Sequence, residues 1–148
     1  MLVHGAWHGS WCWRPLCEEL EQRGHDTLAV DLPCETVGLS VQDCAAAVGA
    51  HPDAVVVGHS MGGLTIPLVE ARAWVFLAAL VPADVDEQAL DPGFTGTARD
   101  ELGRSYWPEE SICREKLYPD LSDEDAAWAF SLLRRTIWLD TAATGQPA

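Results

Sequence analysis

The sequence has few basic residues. Its 148 residues include 9 Lys and Arg against 23 Asp and Glu, which gives a formal net charge of −14. A chain this acidic repels phosphate backbones, so we expect no nucleic-acid partner, and solubility is the simplest role of the charge. Long apolar runs are also missing. None approaches the roughly 18 residues that a membrane-spanning helix needs, so no membrane partner is expected.

Cysteine pairs and targeting signals are absent as well. The 5 cysteines are odd in number, and none stands in a Cys-x-x-Cys pair, which argues against a disulfide framework or a zinc site. No basic segment or cleavage site marks a signal peptide at the N-terminus. We therefore expect a cytoplasmic protein with reduced thiols. No cofactor is predicted, because the sequence holds neither a cluster of metal ligands nor a dinucleotide-binding glycine pattern.

What the sequence does contain is an alternation of short apolar strands with amphipathic helices. Strands are predicted at residues 2–3, 27–30, 54–57 and 74–81, and helices at 11–24, 41–50 and 61–72. Ser40 is the expected N-cap of the second helix. Strands that are apolar on both faces and separated by helices indicate an α/β fold, in which helices cover a parallel sheet.

The pattern changes after Pro82. Residues 83–112 are polar and rich in turn-forming residues, and they show no clear strand. A further helix is predicted to begin after Ser122, with Asp125 completing a pair like a capping box, and to continue to Leu133. The predicted organisation is an N-terminal core at 1–82, a partly helical cap at 83–135 and a frayed tail at 136–148.

The strongest local motif is the pentapeptide Gly58-His59-Ser60-Met61-Gly62, between a predicted buried strand and a predicted helix. This context is what a nucleophile elbow requires. The serine adopts a strained backbone angle that lifts its Oγ clear of the sheet, and the glycines allow strand and helix to approach closely. Ser60 is therefore the predicted catalytic nucleophile, beside a helix N-terminus that favours a developing oxyanion.

A second glycine-containing loop, residues 4–9, follows the first predicted strand. An α/β hydrolase stabilises its oxyanion with one N–H from the residue after the nucleophile and one from the loop after an earlier strand. Met61 and Ala6 occupy these two positions. They are the predicted oxyanion-hole donors.

Several segments together resemble the methylesterase and hydroxynitrile-lyase branch of the α/β hydrolases, and most of all its bacterial small-ester hydrolases. The similar segments are residues 4–13, 29–33, 57–63, 76–82 and 125–130. The resemblance implies an α/β-hydrolase core, a lid formed by residues 83–135 and hydrolysis of a small-molecule carboxylic ester by Ser60. Lyase members carry Thr in place of Gly5, so hydroxynitrile-lyase activity is the weaker expectation.

The sequence has no histidine after Ser60. Its 5 histidines all precede Ser60, whereas the triad of this fold follows the order Ser, Asp or Glu, His. The resemblance implies that two further strands would supply the acid and the base, so we expect a truncated chain with an incomplete core. Among the histidines present, His4 is expected to be structural and His59 to point away from Ser60. An uncovered sheet edge would favour self-association.

Three functions stay open on this basis. The first is an esterase-type serine hydrolase whose activity is weak or absent because the triad is incomplete. The second is a non-catalytic remnant, or a domain that binds a small apolar ligand. The third is a half-enzyme that receives its base from another chain.

Overall fold

The main sheet contains four parallel strands. The structure is a computed structural model that describes residues 1–82 and 94–137. The strands are β1 Leu2–Val3, β2 Ala29–Val30, β3 His51–His59 and β4 Ala71–Leu77, in the spatial order β2-β1-β3-β4. Each neighbouring pair is parallel. The α/β fold with a parallel sheet is thus confirmed.

Three helices connect these strands, and they are shorter than predicted. They are α1 Arg14–Gln22, α2 Val41–Val48 and α3 Gly62–Thr65. A 3₁₀ turn at Ser10–Trp13 precedes α1, and another at Ile66–Leu68 follows α3. The predicted helix at 61–72 ends early because Pro67 has no N–H to continue the helical hydrogen bonds. Ser40 caps α2 as predicted, since its Oγ accepts the Asp43 N–H at 3.2 Å.

The strand ends also differ from the prediction. β3 begins at His51, three residues early, because it pairs with β4 past an irregularity between His51 and Val55. β4 ends at Leu77 rather than at Val81, because Ala78 adopts a left-handed φ of +43° that interrupts the extended chain.

The second described segment, residues 94–137, contains an antiparallel pair of strands and two helices. They are β5 Ala98–Arg99, β6 Ser105–Tyr106, α4 Glu110–Leu117 and α5 Asp123–Ser131. The expectation of no strand in this region is wrong at β5 and β6, because two-residue strands are too short to show alternation. The predicted cap of α5 is confirmed, since Ser122 Oγ accepts the Asp125 N–H at 3.1 Å. Residues 83–93 of the predicted cap lie outside the described residues.

Residues 134–137 connect the rest of this segment to the core. Thr136 exchanges two backbone hydrogen bonds with Ser105 at 2.8 and 2.9 Å, and the Ile137 N–H donates to Cys34 O at 2.7 Å. Thr136 is fully buried. Both residues were predicted to belong to a frayed tail, but these hydrogen bonds hold them in place. The rest of that predicted tail, 138–148, lies outside the described residues.

Strand β4 forms one edge of the sheet, and its apolar side chains are exposed. The exposed fractions are 47% for Trp74, 44% for Val75, 38% for Phe76 and 45% for Leu77. Parallel sheets are ordinarily covered on both faces. Within the described part of the chain, β4 therefore presents an uncovered apolar surface, which we call the β4 edge.

No helix in residues 1–82 or 94–137 combines the length and apolar character needed to cross a membrane. The same residues contain no group of three or more His, Cys, Asp and Glu side chains placed to hold a metal ion.

Candidate active site

Ser60 lies at the junction of β3 and α3 with a left-handed φ of +50°. For a residue with a Cβ this conformation costs about 1–2 kcal/mol. Three backbone hydrogen bonds hold it there. Ser60 O accepts from Leu80 N at 2.9 Å and from Gly63 N at 3.0 Å, and Ser60 N donates to Leu77 O at 3.4 Å. This is the backbone conformation that a nucleophile elbow requires.

The two outer glycines of the pentapeptide allow the backbones around Ser60 to meet. A Cβ placed on Gly58 would lie 2.9 Å from Gly62 O. A Cβ on Gly62 would lie 2.7 Å from His4 O and 2.8 Å from Val3 O. Real Cβ atoms do not approach carbonyl oxygens so closely, so only glycine fits at either position.

The loop that follows β1 packs directly against Ser60. A Cβ on Gly5 would lie 2.8 Å from Ser60 Cβ. The next residue, Ala6, is buried, and so is Met61 on the other side of Ser60. Within the described residues we find no acceptor for the backbone N–H of either Ala6 or Met61. Buried N–H groups usually find a partner, so two unpaired ones beside a serine are suited to receive an oxyanion.

Two histidines hold the carbonyl groups of this loop. His4 Nδ1–H donates to Gly5 O at 2.8 Å, while His4 Nε2 accepts the Leu32 N–H at 2.9 Å. His8 Nδ1–H donates to Ala6 O at 2.8 Å. Because both nitrogens of His4 are engaged in the core, its predicted structural role is confirmed. Burial lowers the pKa of His4 to about 4, so its ring is neutral at pH 7.

The second described segment contacts the same loop through Trp7. This residue has a left-handed φ of +62°. Its N–H donates to Thr136 Oγ1 at 2.8 Å, and its carbonyl accepts the Arg134 N–H at 2.7 Å. Its indole N–H donates to Ser105 Oγ at 3.2 Å. Residues 94–137 therefore fix the backbone of the residue next to Ala6.

His8 is bound on its other side by Tyr118, which lies 110 residues further along the chain. The Tyr118 hydroxyl donates to His8 Nε2 at 2.7 Å, because Nδ1 carries the ring proton that is donated to Ala6 O. Burial lowers the pKa of His8. Sequence reasoning missed this contact, as it missed those of Thr136 and Arg134, because no local pattern marks hydrogen bonds over such separations.

None of the five histidines, all of which lie in the described residues, hydrogen-bonds to Ser60 Oγ. The ring of His59 packs edge-on against Trp13, with centroids 6.3 Å apart and planes at 89°. Burial lowers the pKa of His59. His51 Nε2–H donates to Val48 O at 3.0 Å, and His25 is exposed. Within the described residues, Ser60 therefore has no histidine as a hydrogen-bond partner.

The whole chain, residues 1–148, matches the alpha/beta hydrolase family. Methylesterase 3 of Arabidopsis thaliana is 31% identical over 152 residues, which cover 88% of this chain and 55% of that protein. Salicylic acid-binding protein 2 of Nicotiana tabacum is 30% identical over 171 residues, which cover 90% of this chain and 65% of that protein. The chain therefore spans between about half and two thirds of the length of these relatives.

Solved structures share the fold. The crystal structure of polyneuridine aldehyde esterase superposes with a TM-score of 0.75, covering 99% of this chain and 71% of that one at 21% sequence identity. At this identity the likeness speaks for the fold alone.

Proposed function

The chain belongs to the alpha/beta hydrolase family, and we propose that its site is that of a carboxylic-ester hydrolase with Ser60 as the nucleophile. In this proposal the N–H groups of Ala6 and Met61 form the oxyanion hole. The observation that carries it is the strained φ of Ser60, +50°, beside the buried residues Ala6 and Met61, whose N–H groups have no acceptor among the described residues. The esterase names of several sequence relatives, such as methylesterase 3, support a small-molecule ester as the substrate.

The proposed chemistry begins with attack by Ser60 Oγ on the ester carbonyl carbon. The carbonyl oxygen becomes an oxyanion that accepts hydrogen bonds from the two N–H groups, and the hydroxyl proton passes to a base. The alcohol then departs, and water hydrolyses the acyl-serine. Because none of the five histidines hydrogen-bonds to Ser60 Oγ, no positioned histidine takes up this proton, and we expect slow turnover for this chain alone.

Gly5 favours ester hydrolysis over cyanohydrin cleavage. In the observed backbone, a side chain at this position would begin 2.8 Å from Ser60 Cβ and 3.1 Å from His59 Nδ1. A threonine, as the lyase-type members carry, would therefore need the loop to move. A hydroxynitrile-lyase activity is accordingly the less favoured alternative.

A fluorophosphonate probe tests the proposal. We expect intact-mass analysis to show one modified residue, Ser60, with no modification of Ser60→Ala. Free imidazole should accelerate labelling at least about tenfold, because a positioned general base contributes about 10²–10⁴-fold and a dissolved one contributes less. Ser131→Ala, which removes an exposed serine on α5, is the matched control and should be labelled like the parent chain.

Absence of labelling in a folded chain would contradict the proposal. If the chain is folded by circular dichroism and Ser60 stays unlabelled with imidazole present, the catalytic assignment fails. The alternative of a non-catalytic, ligand-binding domain would then be preferred. Labelling that appears only when a second chain is added would instead favour the half-enzyme.

We also propose that the β4 edge makes the chain self-associate. Four consecutive apolar residues of β4 are each at least 38% exposed, and in the described residues β4 pairs with a strand on one side only, an edge that pairs readily with other chains. Val75→Lys places a charge in the middle of this edge. We expect it to raise the dissociation constant of self-association at least about tenfold, because an unpaired charge in an apolar interface is costly.

Analytical ultracentrifugation measures this change directly. Leu102→Lys is the matched control, because Leu102 is 56% exposed and lies in the turn between β5 and β6. The control should associate like the parent chain. A parent chain that is monomeric at 100 μM, or a control that dissociates as Val75→Lys does, would show that the β4 edge is not the interface.

A further inference from the structure

A cavity of about 360 Å³ is lined by residues from 8–15, up to the start of α1, and from 118–129, up to helix α5. Its wall includes His8, Trp11 and Arg14 on one side and Tyr118 and Trp128 on the other. Neither Ser60 nor Ala6 lines it. The volume falls at the lower end of the about 300–1,000 Å³ that small-molecule sites occupy. The cavity is thus separate from the serine site and large enough for a small organic molecule.

Four of the ten residues that line the cavity are aromatic. Trp11 and Trp128 meet edge to face, with centroids 5.4 Å apart and planes at 85°. His8 stacks on Trp11 with ring centroids 5.3 Å apart, and Tyr118 contacts His8 edge-on at 5.9 Å. Such rings offer faces and edges to a further aromatic ring, an arrangement worth about 0.5–1.5 kcal/mol per ring pair beyond area burial.

The cavity is also lined by a cation, the guanidinium of Arg14. The Arg14 guanidinium lies 4.7 Å from the ring centroid of Trp128. Within the described residues no carboxylate forms an ion pair with Arg14, although the chain carries 23 acidic residues. By contrast, Arg23 and Arg104 each pair with a carboxylate at 2.5 and 2.8 Å. The carboxylate of Asp125, at the cavity, instead accepts the Ser122 hydroxyl at 2.6 Å.

We propose that this cavity binds a small aromatic molecule that carries an anionic group. The ring lies against Trp11 and Trp128, and the anion pairs with Arg14. This inference does not depend on the hydrolase proposal, because the cavity excludes Ser60 and binding is measured without turnover. The occupant also touches His8, whose Nδ1–H holds Ala6 O at 2.8 Å.

Isothermal titration calorimetry with two probes of equal shape tests the chemistry. Phenylacetate is anionic at pH 7, whereas phenylacetamide is neutral. We expect saturable binding of phenylacetate, about tenfold tighter than that of phenylacetamide, because a hydrogen bond to a charged group contributes about 1.5–3 kcal/mol. Arg14→Gln should remove this tenfold preference and leave phenylacetamide binding unchanged, since Arg14 is exposed and its loss spares the apolar wall.

Tryptophan variants test the location. Trp128→Leu and Trp128→Ala should each weaken both probes by about two- to tenfold, because one ring of the wall is lost. Trp74→Leu is the matched control at the β4 edge and should bind like the parent chain, as should Ser60→Ala. The proposal is overturned if phenylacetate shows no saturable binding, if both probes bind equally to the parent, or if Trp74→Leu weakens binding as much as Trp128→Leu.

Discussion

Lowering the pH from 7.5 to 5 is expected to reduce the free energy of unfolding by about 2 kcal/mol through His4 alone. The ring of this residue is fully buried and joins the ends of β1 and β2. Its Nε2 accepts the Leu32 N–H at 2.9 Å. A second ring proton would sit on Nε2, where its N–H would face the Leu32 N–H with no acceptor between them. The folded chain therefore resists protonation of His4.

Stability falls as the pH is lowered because the pKa of His4 differs between the folded and the unfolded chain. Burial lowers the pKa of His4 to about 4 in the folded chain, against an ordinary value of 6.5. Between these values the unfolded chain takes up a proton that the folded chain does not, so stability falls as the pH falls. The effect begins near pH 6.5 and reaches about 3 kcal/mol near pH 4 and below.

Urea unfolding of the parent chain and of His4→Gln, measured from pH 5 to 7.5, isolates this contribution. Glutamine keeps one donor and one acceptor but cannot titrate. Burial lowers the pKa of His8 and of His59 as well, so only the difference between the parent and the variant reports on His4. His25→Gln, at an exposed ring, is the control and should follow the parent. If His4→Gln keeps the full pH dependence, the buried neutral ring is not its cause.

The sequence predicted those parts of the site that local patterns encode. Gly58 and Gly62 stand where the backbones around Ser60 meet, and the strand before them contains a continuous apolar run. These two local patterns were enough to predict the junction of β3 and α3. The lengths of the elements were harder to predict. Pro67 ends α3 because it lacks an N–H, which the sequence makes visible. The left-handed Ala78 that ends β4 has no local signal, because alanine rarely adopts this conformation.

The parts of the site that the sequence did not predict depend on distant contacts. Thr136, Arg134 and Tyr118 hold Trp7 and His8 across more than 100 residues, through hydrogen bonds of 2.7–2.8 Å. Nothing near these residues in the sequence indicates such partners, and Thr136 was accordingly placed in a frayed tail. The consequence is functional. The loop that carries Ala6, a donor in the proposed oxyanion hole, is held by the core through His4 and by residues 94–137 through Trp7 and His8.

The second large effect is expected when Gly63, the residue after the pentapeptide 58–62, is replaced by alanine. A Cβ on Gly63 would collide with the carbonyl oxygen of Leu80 and would lie 2.7 Å from Ala79 Cβ. The segment 79–80 cannot simply move away, because the Leu80 N–H donates to Ser60 O at 2.9 Å and helps to hold the strained Ser60. One added methyl group therefore acts on both the packing of segment 79–80, after β4, and the backbone of the proposed nucleophile.

We expect Gly63→Ala to lower the free energy of unfolding by about 3 kcal/mol, the upper end of the usual cost of overpacking, and to slow Ser60 labelling by the fluorophosphonate. Gly103→Ala is the matched control. Gly103 has a φ of +77° with no atom within 4 Å of an added Cβ, so this variant meets only the left-handed backbone cost of about 1–2 kcal/mol. Urea unfolding at a single pH compares the two. If Gly63→Ala lowers the free energy of unfolding no more than Gly103→Ala does, segment 79–80 moves aside easily. The contact between this segment and Gly63 then does not maintain the strained backbone of Ser60.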